Sequence, residues 1–462
     1  MKKLFLLWIA VLGMTAVYGQ TTFEKTYGKI NDDYGFSVAK TFDGGYIIAA
    51  PFNKLWTIIK TDSQGDTIWQ RTYPFLNVHS YQFTNSIIQT SDSNYVLAGG
   101  LVDSNGFILK VNSKGDTVWF KKSGKAFYPI VYRRVVEDKQ GNLIVVGSFE
   151  ILNASVCCSS LAQKFNKNGQ MILWGNIPGC PASVGCRFQE ICIDKFDSGY
   201  LMSGDTPSGG PPFPRLVKID TSGNVVWDKG YGTMSGTITS VLSVADSGYI
   251  CSGTNSGYDS VLVLKINKSG NIQTIKKYKG CSESTSIANS NGGYLISGSK
   301  YISGNQDLFL LKIDSNYTLL WSKTYGGSQN EYFDMMKSTS DGGCVIVGST
   351  KSYGAGGYDV YFIKTDQNGL VLAQNEITLS KEFLSVFPNP FSAQTVLRAD
   401  DFLYKATLII YNSIGQMVKQ IKNISGQTIT LCRDNLPSGL YFLRLTERDK
   451  IIAADKVVIT DE

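Results

Sequence analysis

The stretch Asp43-Gly44-Gly45-Tyr46, followed by an apolar run, by Lys60-Thr61-Asp62-Ser63-Gln64-Gly65 and by Trp69, decides the fold of this chain. The same order of turn, apolar strand, second turn and aromatic residue returns six more times in better and worse copies. Thr274 and Ala373 replace the tryptophan in two copies. The other five copies keep it, as Trp69, Trp119, Trp174, Trp227 and Trp321. The chain is therefore a repeat protein with seven copies.

The copies have the period and the strand content of propeller blades. Successive tryptophan positions are 50, 55, 53, 47, 47 and 52 residues apart, a period typical of blades and longer than that of leucine-rich or helical repeats. Each copy contains four short runs rich in Val, Ile, Tyr and Trp, separated by Gly, Asp, Asn and Ser, as strands and tight turns require. We predict an all-β fold, a seven-bladed β-propeller over residues 20–380.

A segment in front of the first copy repeats a strand from a later one. Phe23-Glu24-Lys25-Thr26-Tyr27-Gly28 resembles the Trp-Ser-Lys-Thr-Tyr-Gly segment that begins at Trp321. Seven complete units can be counted from Tyr34 to about Glu376 without it. We predict that this extra strand closes the ring by pairing across the first and last blades, because a paired strand protects an open sheet edge.

The N-terminus has the layout of a secretory signal peptide. Lys2 and Lys3 precede an apolar run from Leu4 to Leu12 and a small-residue exit at Ala16–Gly19. The run is shorter than the roughly 20 residues that span a bilayer, so we predict cleavage after residues 1–19 and no transmembrane segment in the mature chain. The net charge of +6 includes these two lysines, and the mildly basic remainder indicates no nucleic-acid partner.

Residues 381–462 abandon the repeat and predict a small immunoglobulin-like β-sandwich. Its motifs are Pro-Asn-Pro, Tyr-Asn-x-x-Gly-Gln, Leu-Pro-x-Gly-Leu-Tyr-Phe and Lys-Val-Val, in that order. Their marker residues are Pro388, Asn389, Pro390, Gly415, Gly439, Tyr441 and Lys456. This segment resembles the type A C-terminal sorting domain of type IX secretion cargo. The resemblance implies export through the type IX machinery as partner, followed by secretion or attachment to the outer surface of a Gram-negative bacterium.

The propeller carries little that indicates catalysis. The single histidine, His79, lies in a turn and has no identifiable partners for a zinc site or a nucleophile relay. The propeller arginines, Arg71, Arg133, Arg134, Arg187 and Arg215, occupy poorly corresponding positions. We predict no catalytic residue, no metal ligand and no cofactor. Asp259, Asp307 and Asp359 precede strands in the last three blades, and we interpret them as solvated loop carboxylates, with an acidic ring on one face as the alternative.

The second turn of each repeat starts with a short polar residue that we expect to bond the nearby backbone. These residues are Asp62, Asn112, Asn166, Asp220, Asn267, Asp314 and Asp366. The spacing is similar to the Asp-boxes of sialidases and to the docking motif of quinoprotein propellers, but it differs from each in at least one gap. Both families use the motif to hold blades together, so we predict that the five tryptophans pack between blades.

Nine cysteines are many for a bacterial propeller. Five of them gather around blades three and four, where the loops lengthen: Cys157, Cys158, Cys180, Cys186 and Cys192. In an exported chain this pattern predicts disulfide bonds, and metal binding is the alternative. We expect Cys251, Cys344 and Cys432 to be buried apolar residues within strands.

The functional interpretation is a non-catalytic binding module for a glycan or a protein, with the ligand-binding residues unknown. We would look for them in the blade-three loop, the neighbouring Gly209–Pro214 segment and the channel mouth. The alternatives are a secreted polysaccharide hydrolase or lyase and a structural component of the cell surface. Two carboxylates roughly 5 to 9.5 Å apart in a cleft favour a glycosidase, whereas exposed aromatic residues without such a pair favour binding.

Overall fold

The computed structural model describes most of the chain from Thr22 onward. The described residues are 22–77, 86–101, 105–123, 130–149, 159–176, 187–206, 212–244, 248–280, 283–302, 304–371, 384–413, 416–447 and 450–461. The chain divides into two compact units, Met1–Leu372 and Ala373–Glu462. The predicted boundary between residues 380 and 381 and the predicted signal peptide lie outside the described residues.

The first unit contains, within the described residues, seven four-stranded antiparallel sheets. Strand β1 is Phe23–Tyr27. Blade one contains β2 (Ser37–Lys40), β3 (Tyr46–Phe52), β4 (Leu55–Thr61) and β5 (Thr67–Asn77). Blade two contains β6 (Ser86–Gln89), β7 (Tyr95–Gly100), β8 (Gly106–Val111) and β9 (Thr117–Lys122). Blade three contains β10 (Ile130–Glu137), β11 (Leu143–Phe149), β12 (Ser159–Phe165) and β13 (Met171–Asn176).

The remaining blades follow the same order. Blade four contains β14 (Arg187–Ile193), β15 (Tyr200–Thr206), β16 (Phe213–Ile219) and β17 (Val225–Gly230). Blade five contains β18 (Gly236–Ser243), β19 (Tyr249–Asn255), β20 (Ser260–Ile266) and β21 (Ile272–Lys279). Blade six contains β22 (Glu283–Ser290), β23 (Gly293–Ile302), β24 (Asn305–Asp314) and β25 (Leu319–Tyr325). Blade seven contains β26 (Glu331–Ser338), β27 (Cys344–Thr350) and β28 (Asp359–Thr365).

The sheets form a closed ring, because the first strand of each blade contacts the first strand of the next and β26 contacts β2. Strands two and three of each blade are buried along nearly their whole length. Apolar clusters lie between neighbouring blades, such as the one that joins Ile47 and Trp56 of blade one to Leu97 and Phe107 of blade two. The structure is therefore the predicted seven-bladed propeller, stabilised by apolar burial between sheets.

The ring closes through β1, as the extra N-terminal strand predicted. Strand β1 pairs antiparallel with β28, with Phe23 opposite Lys364 and Tyr27 opposite Val360. The count of seven complete units ending near Glu376 needs a correction, because the outer strand of blade seven comes from the N-terminus. Residues 372–376, with which that count ended, lie outside the described residues.

The turn prediction for the second half of each repeat is confirmed. In every blade the side-chain oxygen of the first turn residue accepts a hydrogen bond from the backbone N–H two residues later. A residue with positive φ closes these turns, for example Gly65 at 80° and Gly115 at 82°. In blade six Tyr317 adopts this conformation at 64° in place of glycine, so the turn survives the substitution.

The second unit is a five-stranded sheet in which two long strands bend. Its strands are β29 (Leu384–Phe387), β30 (Gln394–Tyr411), β31 (Met417–Cys432), β32 (Gly439–Glu447) and β33 (Lys450–Ile459). The pairing of β30 with β31 shifts register between Arg398 and Leu408. The first half of β30 pairs with β29 and the second half with β32. Residues from both halves share one core, so each long strand is continuous and its two halves fold over each other.

Candidate binding groove between blades four and five

A buried lysine in the third strand of a blade meets an aspartate in the first turn. The pairs are Lys60–Asp43, Lys110–Asp92, Lys164–Asp138, Lys218–Asp194 and Lys364–Asp341. Both residues belong to the repeated motif, but their contact was missed by the sequence analysis. The periodic Lys at the end of an apolar run was the available signal, because a lysine there needs a partner when buried.

The tryptophans follow these lysines on the next strand and reach the neighbouring blade. The indole N–H of Trp69 donates to the Ser113 carbonyl at 3.0 Å, and that of Trp227 donates to the Lys268 carbonyl at 2.9 Å. A Cβ added at Gly115 would lie 2.9 Å from the Trp69 ring. The same relation holds for Trp119 over Gly169, Trp227 over Gly270 and Trp321 over Gly369. The Trp174 side chain lies outside the described set.

One of these junctions opens into a groove, which we call the blade 4–5 groove. It has a volume of about 650 Å³ and is lined by Asp194, Phe196, Asp197, Lys218, Val226, Trp227, Lys229, Tyr249, Lys268 and Ser269. The first turn of blade four has one residue more than that of blade one, which runs from Thr41 to Tyr46. The longer turn carries Phe196, whose side chain is 49% exposed at the edge of the groove.

The carboxylates of the groove are held by one lysine. The Lys218 ammonium contacts Asp194 and lies 2.9 Å from Asp197, and it donates to the Tyr249 hydroxyl at 3.0 Å. Although burial alone would raise the pKa of Asp194, hydrogen bonds from Lys218 and Tyr249 lower it. A general acid needs a raised pKa. Asp194 therefore stays ionised at neutral pH and is unsuited to donating a proton to a leaving group.

The central channel is a second concave feature. The first strands of blades three to seven line a cavity of about 330 Å³. Glu190 in this cavity accepts from the Arg134 guanidinium, with 3.1 Å between Nε and Oε2. Burial raises the pKa of Asp334, against the opposing effect of Arg134. Desolvation lowers the pKa of Lys337, which lines the cavity. The channel thus combines apolar walls with a few charged groups.

Other predicted sites are distributed as follows. The described residues do not include His79, Cys157, Cys158, Cys180 and Cys186, nor the first three residues of Gly209–Pro214. Most of the blade-three loop and Cys281, to which the sequence assigns no role, also lie outside them. Cys192, which we had assigned to the disulfide group, is a free thiol because it lies on the inner strand β14 beside the core of the next blade. Cys251 and Cys344 are fully buried, as predicted.

Two further expectations need correction or qualification by the structure. The prediction that Cys432 is buried is wrong, because it ends β31 on the outer face of the sheet. Three of the described propeller arginines pair with different carboxylates, Arg71 with Asp116, Arg134 with Glu190 and Arg215 with Asp228. Asp307 and Asp359 are not solvated loop carboxylates, because both have a buried side-chain oxygen.

The sorting-domain markers cluster around the first and last strands of the second unit. The Asn389 amide donates to the Lys456 carbonyl at 2.9 Å and its oxygen accepts from the Val458 N–H at 2.8 Å. Pro388 and Pro390 flank this residue, and the Pro388 carbonyl accepts from Thr395 at 2.6 Å. Tyr441 is buried and donates to the Pro437 carbonyl, while Gly439 adopts a positive φ of 153° at the start of β32. Gly415 lies outside the described residues.

A family comparison identifies this second unit. Residues 385–460 match the family model of the secretion system C-terminal sorting domain. The chain is therefore a type IX secretion cargo, secreted or displayed at the cell surface of a Gram-negative bacterium. None of the curated proteins matches the chain. No helix in the described part of the chain is long and apolar enough to cross a bilayer.

Solved structures share the architecture at low identity. Puromycin hydrolase is 11% identical, with 79% of this chain and 58% of that chain covered and a TM-score of 0.51. A lectin from Burkholderia pseudomallei is 8% identical over 72% of this chain and 98% of that one, with a TM-score of 0.47. A microbial sialidase is 10% identical over 71% and 77%, with a TM-score of 0.44. Identities this low concern the fold alone, and the two scores below 0.5 carry no argument.

Proposed function

We propose that the protein is an exported, non-catalytic binding module whose blade 4–5 groove binds a glycan. One observation carries this proposal. The groove presents exposed aromatic side chains, while both of its carboxylates already form ion pairs with a lysine. Phe196 and Trp227 offer apolar faces for sugar rings, while Lys218 holds both Asp194 and Asp197. Binding sites of this kind combine apolar walls with a few placed polar groups.

The remaining charges of the groove favour an acidic glycan. Lys229 and Lys268 also line the groove. Among the described residues, the ion pairs of its two aspartates are with Lys218. The ammonium groups of Lys229 and Lys268 can attract a carboxylate or sulfate group on a sugar. Because Lys218 neutralises the groove aspartates, they repel such a group only weakly. We therefore expect uronic or sulfated polysaccharides to bind more tightly than neutral ones.

The test is a glycan array on the full-length secreted protein, followed by calorimetry on each positive glycan and an assay for released sugar. We expect saturable binding without product, and at least a tenfold loss of affinity in Phe196→Ala. The matched control is Phe42→Ala, because Phe42 is 69% exposed on the equivalent turn of blade one. Unchanged affinity in Phe196→Ala, or equal loss in both variants, would remove the groove from the proposal.

The alternative of a secreted hydrolase receives support from one observation in the channel. Burial raises the pKa of Asp334, and a general acid needs a raised pKa. Release of sugar that disappears in Asp334→Asn while Phe196→Ala remains active would replace the binding proposal with this one.

We also retain two proposals about the exported chain. Residues 1–19 are removed as a signal peptide, and the four cysteines Cys157, Cys158, Cys180 and Cys186 form disulfides that hold the enlarged loops of blades three and four. The intact mass of the secreted protein, before and after reduction and alkylation, measures both. A mass that begins at Met1, or four additional alkylated thiols without reduction, would contradict them.

A further inference from the structure

Two pairs of carboxyl groups occupy equivalent places at consecutive blade junctions. Asp307 and Asp359 each precede the repeated lysine of their strand by five residues, as comparison with Lys312 and Lys364 shows. Their partners are Glu331, opposite Thr350 in blade seven, and Asp33, opposite Phe52 in blade one. The pair Asp307–Glu331 thus joins blades six and seven, and Asp359–Asp33 joins blades seven and one.

A glycine makes room for each pair. Gly326 follows Tyr325, and a Cβ at this glycine would lie within 2.5 Å of both Asp307 Oδ1 and Glu331 Oε2. Gly28 follows Tyr27 at the matching place, where a Cβ would overlap Asp359 Oδ1 and lie 3.2 Å from Asp33 Oδ2. The two oxygens of each pair therefore face one small space, and only a residue without a side chain leaves that space open.

One carboxyl of each pair is fully supplied with donors and the other is not. Glu331 accepts from Thr350 Oγ1 at 2.7 Å and from the Gly327 N–H at 3.0 Å. Asp33 accepts from the N–H groups of Lys29 and Asn53 at 2.7 and 3.1 Å. Asp359 is 1% exposed, and its Oδ1 has no hydrogen-bond donor in the described structure.

Asp307 Oδ1 in the other pair is likewise buried without a donor among the described residues. None of the ion pairs found among those residues includes any of the four carboxyls. A buried charged oxygen without a partner is costly. Lys300 near Asp307 and Lys29 near Asp33 act on these carboxyls from a distance, but neither forms a contact ion pair with them among the described residues.

We propose that each pair is a binding site for a hard divalent cation, with Ca²⁺ as the ion expected for an exported protein. Ca²⁺ takes carboxylate oxygens, with waters or backbone carbonyls filling the other positions. A cation between the two oxygens would neutralise the like charges and satisfy the donorless oxygen. Burial and the neighbouring Glu331 raise the pKa of Asp307 to about 6, as two carboxyls sharing a space without a cation should.

The site between blades seven and one lies where the ring closes. Asp359 begins β28, the strand that pairs with β1, and the Asp33 N–H donates to the Tyr358 carbonyl at 2.6 Å. A cation there would join the N-terminal segment to the last blade, so closure of the propeller would depend on Ca²⁺.

The test is calorimetric titration of Ca²⁺ into the chelator-treated full chain at pH 7.5, with thermal melting in parallel. We expect two ions per chain, dissociation constants on the order of 10⁻⁴ to 10⁻³ M as in extracellular modules, and a higher Tm with Ca²⁺. Asp359→Asn should bind one ion, and Asp359→Asn with Glu331→Gln should bind none. The control Asp259→Asn changes an exposed carboxylate that the neighbouring Asn255 and Ser260 already satisfy, and it should bind two.

A second measurement uses the unmodified chain, so it does not depend on whether the variants fold. Tb³⁺ added to the unmodified chain should show tyrosine-sensitised luminescence that Ca²⁺ displaces, because the Tyr353 hydroxyl donates to the Gly326 carbonyl beside one pair. Absence of binding heat, luminescence and Tm change would overturn the proposal. So would ion binding that persists in the double variant, or a Tm that rises on acidification to pH 5.5 and ignores Ca²⁺, because the pairs would then hold protons.

Discussion

The two ends of the third strand of a blade differ in how their buried charges are paired. At the end of β28 the ammonium of Lys364 meets Asp341, whereas at its start Asp359 meets another carboxyl, Asp33. The lysine–aspartate pair is neutral and has equivalents in blades one to four. The carboxyl pair has an equivalent only at one further described junction, that of blades six and seven. Within the described residues, neutral pairs thus recur in most blades, whereas the carboxyl pairs are confined to the two junctions that flank blade seven.

This difference distinguishes charged pairs that only stabilise the fold from pairs that can bind an ion. A buried pair of opposite charges satisfies itself, so its residues need nothing from solution. Two buried carboxyls leave one oxygen without a hydrogen-bond donor, and a proton or a cation is needed to satisfy it. The groove between blades four and five follows the first pattern, because Lys218 occupies both of its aspartates, which is why its proposed ligand contacts aromatic and lysine side chains instead.

The largest expected effect comes from removing a lysine whose aspartate cannot reach water. In Lys218→Met the Asp194 side chain, only 3% exposed, would be left charged and unpaired, and breaking a buried pair costs about 3–5 kcal/mol. In Lys60→Met the partner Asp43 is 58% exposed and can be hydrated, so we expect about 1 kcal/mol. Urea unfolding of both variants measures the contrast. Equal losses would show that the partner's burial does not decide the cost.

The next effect tests the contact of a tryptophan with the glycine of the neighbouring blade. Gly115→Ala forces a side chain onto the Trp69 ring at φ 82°, whereas Gly44→Ala meets nothing within 4 Å at a similar φ of 85°. The conformational penalty, about 1 kcal/mol, is common to both. We expect Gly115→Ala to lose at least about 1 kcal/mol more, from overpacking. Equal free energies of unfolding would contradict the proposed packing role of Trp69.

A smaller and more distributed effect is the acid dependence of the lysine–aspartate pairs. Burial alone would raise the pKa of Asp92, but hydrogen bonds from Lys110 and Thr90 lower it to about 2. The pKa values of Asp43, Asp138, Asp194 and Asp341 are also lowered, against burial, by their lysine or neighbouring hydrogen-bond donors.

A lowered folded-state pKa stabilises the fold above the unfolded pKa of about 3.9, and this stability is lost as pH falls through the folded pKa. We therefore expect the loss of these lysine–aspartate pairs to lower the urea midpoint between about pH 4 and 2, and not above about pH 4. Asp194→Asn should have a shallower slope in that window. A midpoint that rises on acidification below pH 4 would refute the assignment.

The smallest effect concerns the free thiols and involves no change in stability. Burial raises the pKa of Cys192 and Cys344 to about 12 and also raises that of Cys251, whereas Cys432 is exposed. A maleimide reagent should therefore label Cys432 in the native protein and reach the other three only after unfolding. Peptide mapping gives the answer, and rapid labelling of Cys192 would mean that the channel admits the reagent.

The sequence by itself determined the number of blades, the turns and the sorting domain. The same local sequence pattern occurs seven times, so substitutions such as Thr274 for tryptophan or Tyr317 for glycine leave the repeat recognisable. The turns depend on residues two positions apart, such as Asp62 and Gln64. The strand Cys344–Thr350 is marked locally by valine and isoleucine between turns rich in glycine, aspartate and serine.

Only the tertiary structure decided which residues from different blades meet. Asp33 and Asp359 are more than three hundred positions apart in sequence, and they become neighbours because β1 completes the last blade. The groove depends in the same way on one extra residue in the first turn of blade four, on Trp227 of strand β17 and on Tyr249 of the next blade. Such contacts follow from closure of the ring, which depends on the whole chain and cannot be read from local strand and turn preferences. The sequence therefore specified each blade, and the packing of blades against one another created the sites.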